Sequence, residues 1–280
     1  MTTILDGKKL SAKILDGLAE KLSMKDEKPN LVVILVGENP ASQLYVGMKE
    51  KMALKIGMNS SVIRYSEDTS EEVLLAKIEE LNNNPSIHGL LIQLPLPKHI
   101  SEQKVILSVS PRIDADGITP ENIGRISIGV EPFAYPCTPK GVIKIIDEYN
   151  IDIEGQHVVI VGRSNIVGKP LAQMFLNRNA TVTICHSKTK NLSEITKTAD
   201  ILVSAVGKNK IIRKEMIKNN SVIIDVGTSK VDGKTVGDVD FDDVFDSASF
   251  ITPVPGGIGP MTIACLMENT YELFKLNRDT

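Results

Sequence analysis

Strand-length apolar runs that alternate with helix-length amphipathic ones constrain this chain more than any other feature. After a helical start at residues 8–22, the segments read strand 31–36, helix 41–56, strand 61–64, helix 71–81 and strand 89–94. Repeated β-α-β returns the chain to the same end of a sheet after each helix, so the strands run parallel with helices on their faces. A second series follows, with helix 139–149, strand 158–161, helix 168–177, then strands 181–185, 201–205 and 222–226. Residues 111–139, rich in Pro, Gly, Asp and Thr and without a period, separate the two. Asp232-Gly233 inside residues 228–236 signals a hairpin. We expect an α/β fold of two α/β domains. The first covers residues 1–118, a connecting segment 119–138 follows, and a doubly wound, Rossmann-type dinucleotide-binding domain covers 139–260. A closing helix, within residues 261–280, is expected to pack back on the first domain.

Composition narrows the classes of function. The chain has 280 residues, 42% of them apolar and 24% charged, which suffices for two cores. A net charge of −3, with Lys and Arg dispersed among Asp and Glu, leaves no basic footprint for nucleic acid or an anionic membrane. Small-molecule chemistry is favoured. No apolar run approaches the ~20 residues of a membrane span. The N-terminus has no apolar core of an export signal, so export is not expected. Three dispersed cysteines, Cys137, Cys185 and Cys265, draw neither a disulfide framework nor a metal site, and a cytoplasmic setting fits.

GRSNIVGKP (162–170) leaves an apolar strand and enters a helix, where unpaired backbone N–H groups and the positive end of the dipole suit a pyrophosphate. It departs from G-x-G-x-x-G: Ser164 replaces the second glycine and Gly168 comes one residue late. The alternative is a plain Gly-rich turn. An NAD site places an acid at the end of the next strand for the ribose diol, but that strand ends Cys185-His186-Ser187. Arg163 in the loop, with Ser187 and Lys188 after the strand, suits a ribose 2′-phosphate instead. NADP is favoured over NAD.

On helix 41–56, at 100° per residue, Ser42, Tyr45, Val46, Lys49, Met52, Ala53 and Ile56 share one face, with Lys51 and Lys55 opposite. Lys49 is thus centred on the face expected to be buried. A buried amine loses hydration of its charged form and becomes useful for proton transfer near neutral pH. The alternative is a lysine whose stem packs while its head reaches solvent. GLLIQLPLP (89–97) ends a strand at Gln93, where the amide either faces a crevice or is an ordinary strand-end polar group. DADG (114–117) sets two carboxylates two residues apart, on one side of the chain if extended. It reads as a ligand-binding acid or a turn former, and nothing nearby supports a metal. PVPGGIGPMT (253–262) combines backbone freedom at Gly256, Gly257 and Gly259 with a helix start at Pro260. It reads as a ligand loop or as a connector.

Together SQLYVGMK (42–49), GLLIQLPLP, DADG, PCTPKG (136–141), VGRSNIVGKP, CHSKT (185–189), IDVG (224–227) and PVPGGIGPMT resemble the bifunctional methylenetetrahydrofolate dehydrogenase/methenyltetrahydrofolate cyclohydrolase family, in order and spacing, over nearly the whole chain. The resemblance implies that Tyr45 stacks on the folate rings, Lys49 transfers protons, Gln93 positions and tunes Lys49, and Asp116 holds the pterin. Ser42 and the loop of Pro255, Gly256, Gly257 and Gly259 would complete the folate side. Gly162, Arg163, Ser164, Gly168, Ser187 and Thr228 would receive NADP. One departure is visible: the family usually has Asn two residues after the Gly of IDVG, where this chain has Gly227-Thr228-Ser229, which leaves the contact near the nicotinamide in question.

The implied chemistry is NADP-dependent oxidation of 5,10-methylenetetrahydrofolate to the methenyl cation, then hydrolysis to 10-formyltetrahydrofolate, within one-carbon metabolism and purine biosynthesis. The first step needs alignment and the second moves protons, so Lys49 belongs chiefly to hydrolysis. One folate site between the domains is expected to serve both steps, in a homodimer formed through the cofactor domain. No synthetase domain is expected. Two rival readings are a shikimate-dehydrogenase-like NADP oxidoreductase and a non-enzymatic NADPH-binding module. The Tyr45–Lys49 spacing and PGGIGP argue against the first; the placing of Lys49 and the second glycine loop argue against the other.

Overall fold

The computed structural model describes residues 1–278. In chain order the elements are β1 (Thr3–Ile4), α1 (Gly7–Ser23), β2 (Asn30–Val36), α2 (Pro40–Lys55), β3 (Asn59–Tyr65), α3 (Glu71–Asn82), β4 (Gly89–Ile92), α4 (Glu102–Ser108), α5 (Pro120–Ser127) and α6 (Cys137–Glu148). Then come β5 (His157–Val161), α7 (Gly168–Leu176), β6 (Thr181–Cys185), α8 (Leu192–Thr196), β7 (Ile201–Ser204), β8 (Ser221–Asp225), β9 (Ser229–Val231), β10 (Lys234–Val236), α9 (Phe241–Val244), β11 (Ala248–Ile251) and α10 (Ile258–Arg278). They form two compact units, one of residues 13–137 with 263–278, the other of residues 1–12 with 138–262.

The first unit is built on a parallel sheet of order β3-β2-β4. Side chains alternate across a strand, and here both faces of β2 are covered. Leu31, Val33 and Leu35 pack with Leu15, Leu18 and Leu22 of α1, Val46 and Ala53 of α2, and Leu266, Leu273 and Phe274 of α10. Val32, Ile34 and Val36 pack on the other face with Leu74, Ile78 and Leu81 of α3 and Val105 of α4. The closing helix therefore does pack on the first sheet, as expected. Helix starts follow local rules: Asn39 Oδ1 accepts from the N–H groups of Ala41 and Ser42 ahead of α2, with Pro40 in its first turn.

The second unit carries a parallel six-stranded sheet of order β1-β11-β8-β7-β5-β6. The chain starts its winding at β5, with β6 on one side and β7, β8 on the other, which puts the switch point beyond the carboxyl ends of these strands. Asp232 and Gly233, both at positive φ, turn the β9–β10 hairpin.

Two boundaries differ from the sequence reading. Residues 1–12 cluster with the second unit, because β1 pairs in parallel with β11. Two- and four-residue strands carry too little pattern to be read alone. Residues 119–137 are no bare connector: they contain α5 and cluster with the first unit. Buried Asn122 accepts from the N–H groups of Phe133 and Ala134 and donates to Asp114, which folds the segment on itself.

Candidate active site

Helix α2 presents the face expected of it. Ser42, Val46, Ala53 and Ile56 are buried, whereas Lys51 and Lys55 are exposed. Tyr45 departs from that expectation, with its residue 41% exposed, so its ring is available to a ligand instead of being packed in the core. Lys49 lies one turn further on. Its Nζ donates to Gln93 Oε1 at 2.9 Å, and Gln93 Nε2 in turn donates to the carbonyl of Leu94 at 2.7 Å. The second bond orients the amide so that its oxygen faces the amine. Gln93 follows β4, and its own N–H bonds the carbonyl of Ile34, continuing the ladder past the last strand residue.

Burial of the ammonium holds the Lys49 pKa below the ordinary lysine value, against the opposing pull of Asp116 and Cys137. The residue is partly exposed as a whole, but its charged end is bonded and desolvated, so it does not reach out to solvent. Gln93, Asp116 and Lys49 are thus one constellation, with Tyr45 and Ser42 on the same helix.

The two acids of DADG have separated roles. Asp114 is buried, and its carboxylate accepts from the N–H groups of Gly117 (2.9 Å) and Thr119 (2.8 Å) and from Asn122 Nδ2 (3.0 Å). Burial pushes its pKa up; the hydrogen bonds oppose that. The segment is a turn, not extended. Both acids line one small pocket with Ile92, Leu94, Ile118 and Thr119, but among the described residues the carboxylate of Asp116, unlike that of Asp114, accepts no hydrogen bond; only its backbone carbonyl does, from Cys137 N–H at 3.2 Å. Asn269 Nδ2 braces the same loop through the carbonyls of Ala115 (2.9 Å) and Tyr135 (2.8 Å). Asn122 and Asn269 were missed in the sequence. The available signal was a polar residue on the buried stripe of a helix: Leu266, Asn269 and Leu273 share one face of α10.

The second unit holds the remaining candidates. Gly162 has φ 134°, and a side chain there would strike the carbonyl of Ala205; one at Gly168 would strike the backbone of Gly162. The two glycines therefore let the turn after β5 close onto the start of α7. Ser164 Oγ accepts from the N–H groups of Val167 (3.1 Å) and Gly168 (3.4 Å), which explains serine in place of the usual glycine. Arg163 and Ser187 are exposed beyond β5 and β6, and Thr228 is exposed beyond β8. Ser187 sits in a tight turn fixed by bonds between His186 and Thr189. A glycine cradle, a helix N-terminus and an exposed guanidinium fit a phosphorylated dinucleotide. The loop of Pro255, Gly256, Gly257 and Gly259 belongs to this unit, where Gly256 accepts from Lys8 N–H at 2.8 Å and Gly257 packs on Gly7.

A doubly wound unit with a glycine turn at a helix N-terminus, beside a separate unit bearing a desolvated amine, fits one class: an enzyme that works with a nicotinamide dinucleotide. Residues 136–278 match the family model for the tetrahydrofolate dehydrogenase/cyclohydrolase NAD(P)-binding domain, and residues 5–116 match that for the catalytic domain of the same family. The chain belongs to the tetrahydrofolate dehydrogenase/cyclohydrolase family. It is 52% identical over 278 residues to the bifunctional protein FolD of Exiguobacterium sibiricum, covering 98% of this chain and 100% of that one. The crystal structure of the bifunctional dehydrogenase/cyclohydrolase FolD of Campylobacter jejuni superposes with a TM-score of 0.96 at 48% identity, over 99% of each chain. The Trypanosoma brucei enzyme, solved with NADP cofactor and an inhibitor, gives 0.95 at 35% identity, over 100% of this chain and 99% of that one. The shikimate-dehydrogenase-like and non-enzymatic readings are set aside.

Proposed function

We propose that the chain oxidises 5,10-methylenetetrahydrofolate with NADP and hydrolyses the methenyl product to 10-formyltetrahydrofolate, with Lys49 as the proton-transfer group of the second step. The observation that carries the assignment of Lys49 is its 2.9 Å bond to Gln93 Oε1 in a setting that lowers its pKa and faces Asp116. Bound NADP supplies the acceptor for the hydride that leaves the methylene carbon. Gly162, Arg163, Ser164, Gly168, Ser187 and Thr228 would hold it.

In the first step the chain's own residues orient: Tyr45 offers a ring face, and Asp116 a carboxylate for the N–H groups of the pterin. In the second, water adds to the methenyl carbon and gives up a proton to the neutral amine of Lys49. The bond from that carbon to N5 then breaks. N5 gains a proton, the added hydroxyl loses one as the formyl carbonyl forms, and one proton is released overall. Gln93 holds the amine in place for both transfers.

A homodimer in the cytoplasm is part of this reading. The edge strand β6 and the exposed Ile166, Leu176 and Ile184 support self-association through the second unit. No helix among the described residues is long and apolar enough to cross a membrane, and the three cysteines are buried thiols. The test of the activity is incubation with methylenetetrahydrofolate and NADP, following the methenyl chromophore and its decay. No chromophore and no NADPH would overturn it.

A further inference from the structure

Two acids in the second unit take no part in the chemistry above, and both are buried: Asp225 at the end of β8 and Asp238 after β10. Asp238 Oδ2 accepts from Ser204 Oγ and from the N–H of Val206, both at 2.8 Å, and its Oδ1 accepts from the N–H of Lys208 at 2.7 Å. It therefore grips the segment that follows β7. Asp225 Oδ1 accepts from the N–H groups of Gly227 (3.1 Å) and Asp238 (3.0 Å), and its Oδ2 from that of Val239 (2.9 Å). It grips the segment that follows β8 and ties it to the backbone of Asp238. Side chains at Gly227 and Gly237 would collide with the carboxyl groups of Asp238 and Asp225, so the fit leaves no slack.

The two gripped segments meet. A Cβ on Gly207 would touch the carbonyl of Thr228 at 3.5 Å, and Ala205 backs on Gly162 of the pyrophosphate turn. The sheet order assigns them a role. With β6 on one side of β5 and β7, β8 on the other, a dinucleotide whose pyrophosphate sits after β5 extends its adenosine toward β6 and its nicotinamide toward β7 and β8. Arg163 and Ser187 face the adenosine half. The segments held by the acid pair face the other half.

We propose that Asp225 and Asp238 are positioning residues that fix the backbone after β7 and β8 as the receiving surface for the nicotinamide half of the dinucleotide. This rests on the reading of the second unit as an NADP site. Buried unpaired acids are costly, and these are tolerated because six donors converge on them. Five of the six bonds come from backbone N–H groups outside the strands, so the pair extends the hold on these loops beyond the sheet bonds of Ala205 to Val161 and of Val226 and Gly227 to Ser204.

The test compares a whole dinucleotide with its adenosine half, in calorimetric titrations of the full chain with NADP and with 2′,5′-ADP. Asp238→Asn keeps the shape but replaces one acceptor oxygen by an NH2 group facing backbone N–H donors. It should weaken NADP about tenfold or more and leave 2′,5′-ADP within about twofold. Ser204→Ala removes a single donor and should show the same selectivity with a smaller loss, which serves if the first variant does not fold. Equal losses of both ligands, or no loss of either, in the folded variants would overturn the proposal. Failure of the wild type to bind 2′,5′-ADP at all would instead overturn the NADP reading beneath it.

Discussion

Lys49 Nζ donates a 2.9 Å hydrogen bond to Gln93 Oε1, joining a helix face to the end of a buried strand 44 residues along the chain. A flexible amine is thereby fixed by an amide that is itself fixed by Leu94, so its position is set before substrate arrives. Removing the amine should separate two activities that use one site differently. Lys49→Met keeps the stem, and is expected to retain folate binding and some dehydrogenase activity while cyclohydrolase activity falls by ~10²–10⁴. Methenyltetrahydrofolate should accumulate. Hydrolysis of the methenyl compound at the wild-type rate would show that Lys49 has no part in it.

Asp116 has a double signature, because its carboxylate holds no other hydrogen-bond partner among the described residues and raises the pKa of Lys49. Asp116→Asn should weaken folate binding and both activities and leave NADP affinity nearly intact. It should also lower the Lys49 pKa further. With the neutral amine as the base, as proposed, the rising limb of residual hydrolysis against pH should move to lower pH. A limb that stays put or moves up contradicts the electrostatic link.

Arg163 is exposed beside the pyrophosphate turn. Arg163→Ala should weaken NADP far more than NAD, by one charge-assisted contact, ~1.5–3 kcal/mol, or roughly 10- to 150-fold in Kd. Direct titration with both dinucleotides measures it. Wild-type protein that binds NAD as tightly as NADP would refute the 2′-phosphate assignment.

Asp114 supports stability as well as bracing the loop that carries Asp116. Asp114→Ala strands the N–H groups of Gly117 and Thr119 and the amide of Asn122. We expect a loss of about 2–5 kcal/mol, read from the urea midpoint, together with weakened folate binding in the protein that remains folded. A surface-like change below about 0.5 kcal/mol would mean that the loop is held by other contacts.

Asp225 makes stability depend on pH in a defined sense. Burial raises its pKa to about 7, the neighbouring Asp238 adds to that, and three backbone donors oppose it. The folded protein thus keeps a proton that the unfolded chain releases near pH 3.8. This contribution to stability is fully present below that value and is lost as pH rises to about 7. Urea midpoints of wild type between pH 5 and 8, compared with those of Asp225→Asn, should show a steeper decline in wild type. Parallel slopes would mean that Asp225 is ionised throughout.

The local sequence by itself determined whatever depends on period and on residue type at short range. The apolar run 31–36, the helical face carrying Lys49, the Asp232-Gly233 turn and the glycines at 162 and 168 are each settled within a few residues by side-chain alternation, helical pitch or the absence of a Cβ. Long-range pairing decided the rest. Only the sheet placed Thr3 beside Phe250, and so moved the first twelve residues into the second unit. Only packing divided the DADG acids into a saturated brace and an available ligand, because which carboxylate meets Asn122 depends on where α5 lies. The same holds for Asp225, met in the sequence only within IDVG, and for Asp238, which no motif there includes. Their pairing depends on donors that strands β7 and β8 bring together from separate parts of the chain, and such convergence leaves no periodic trace in either segment.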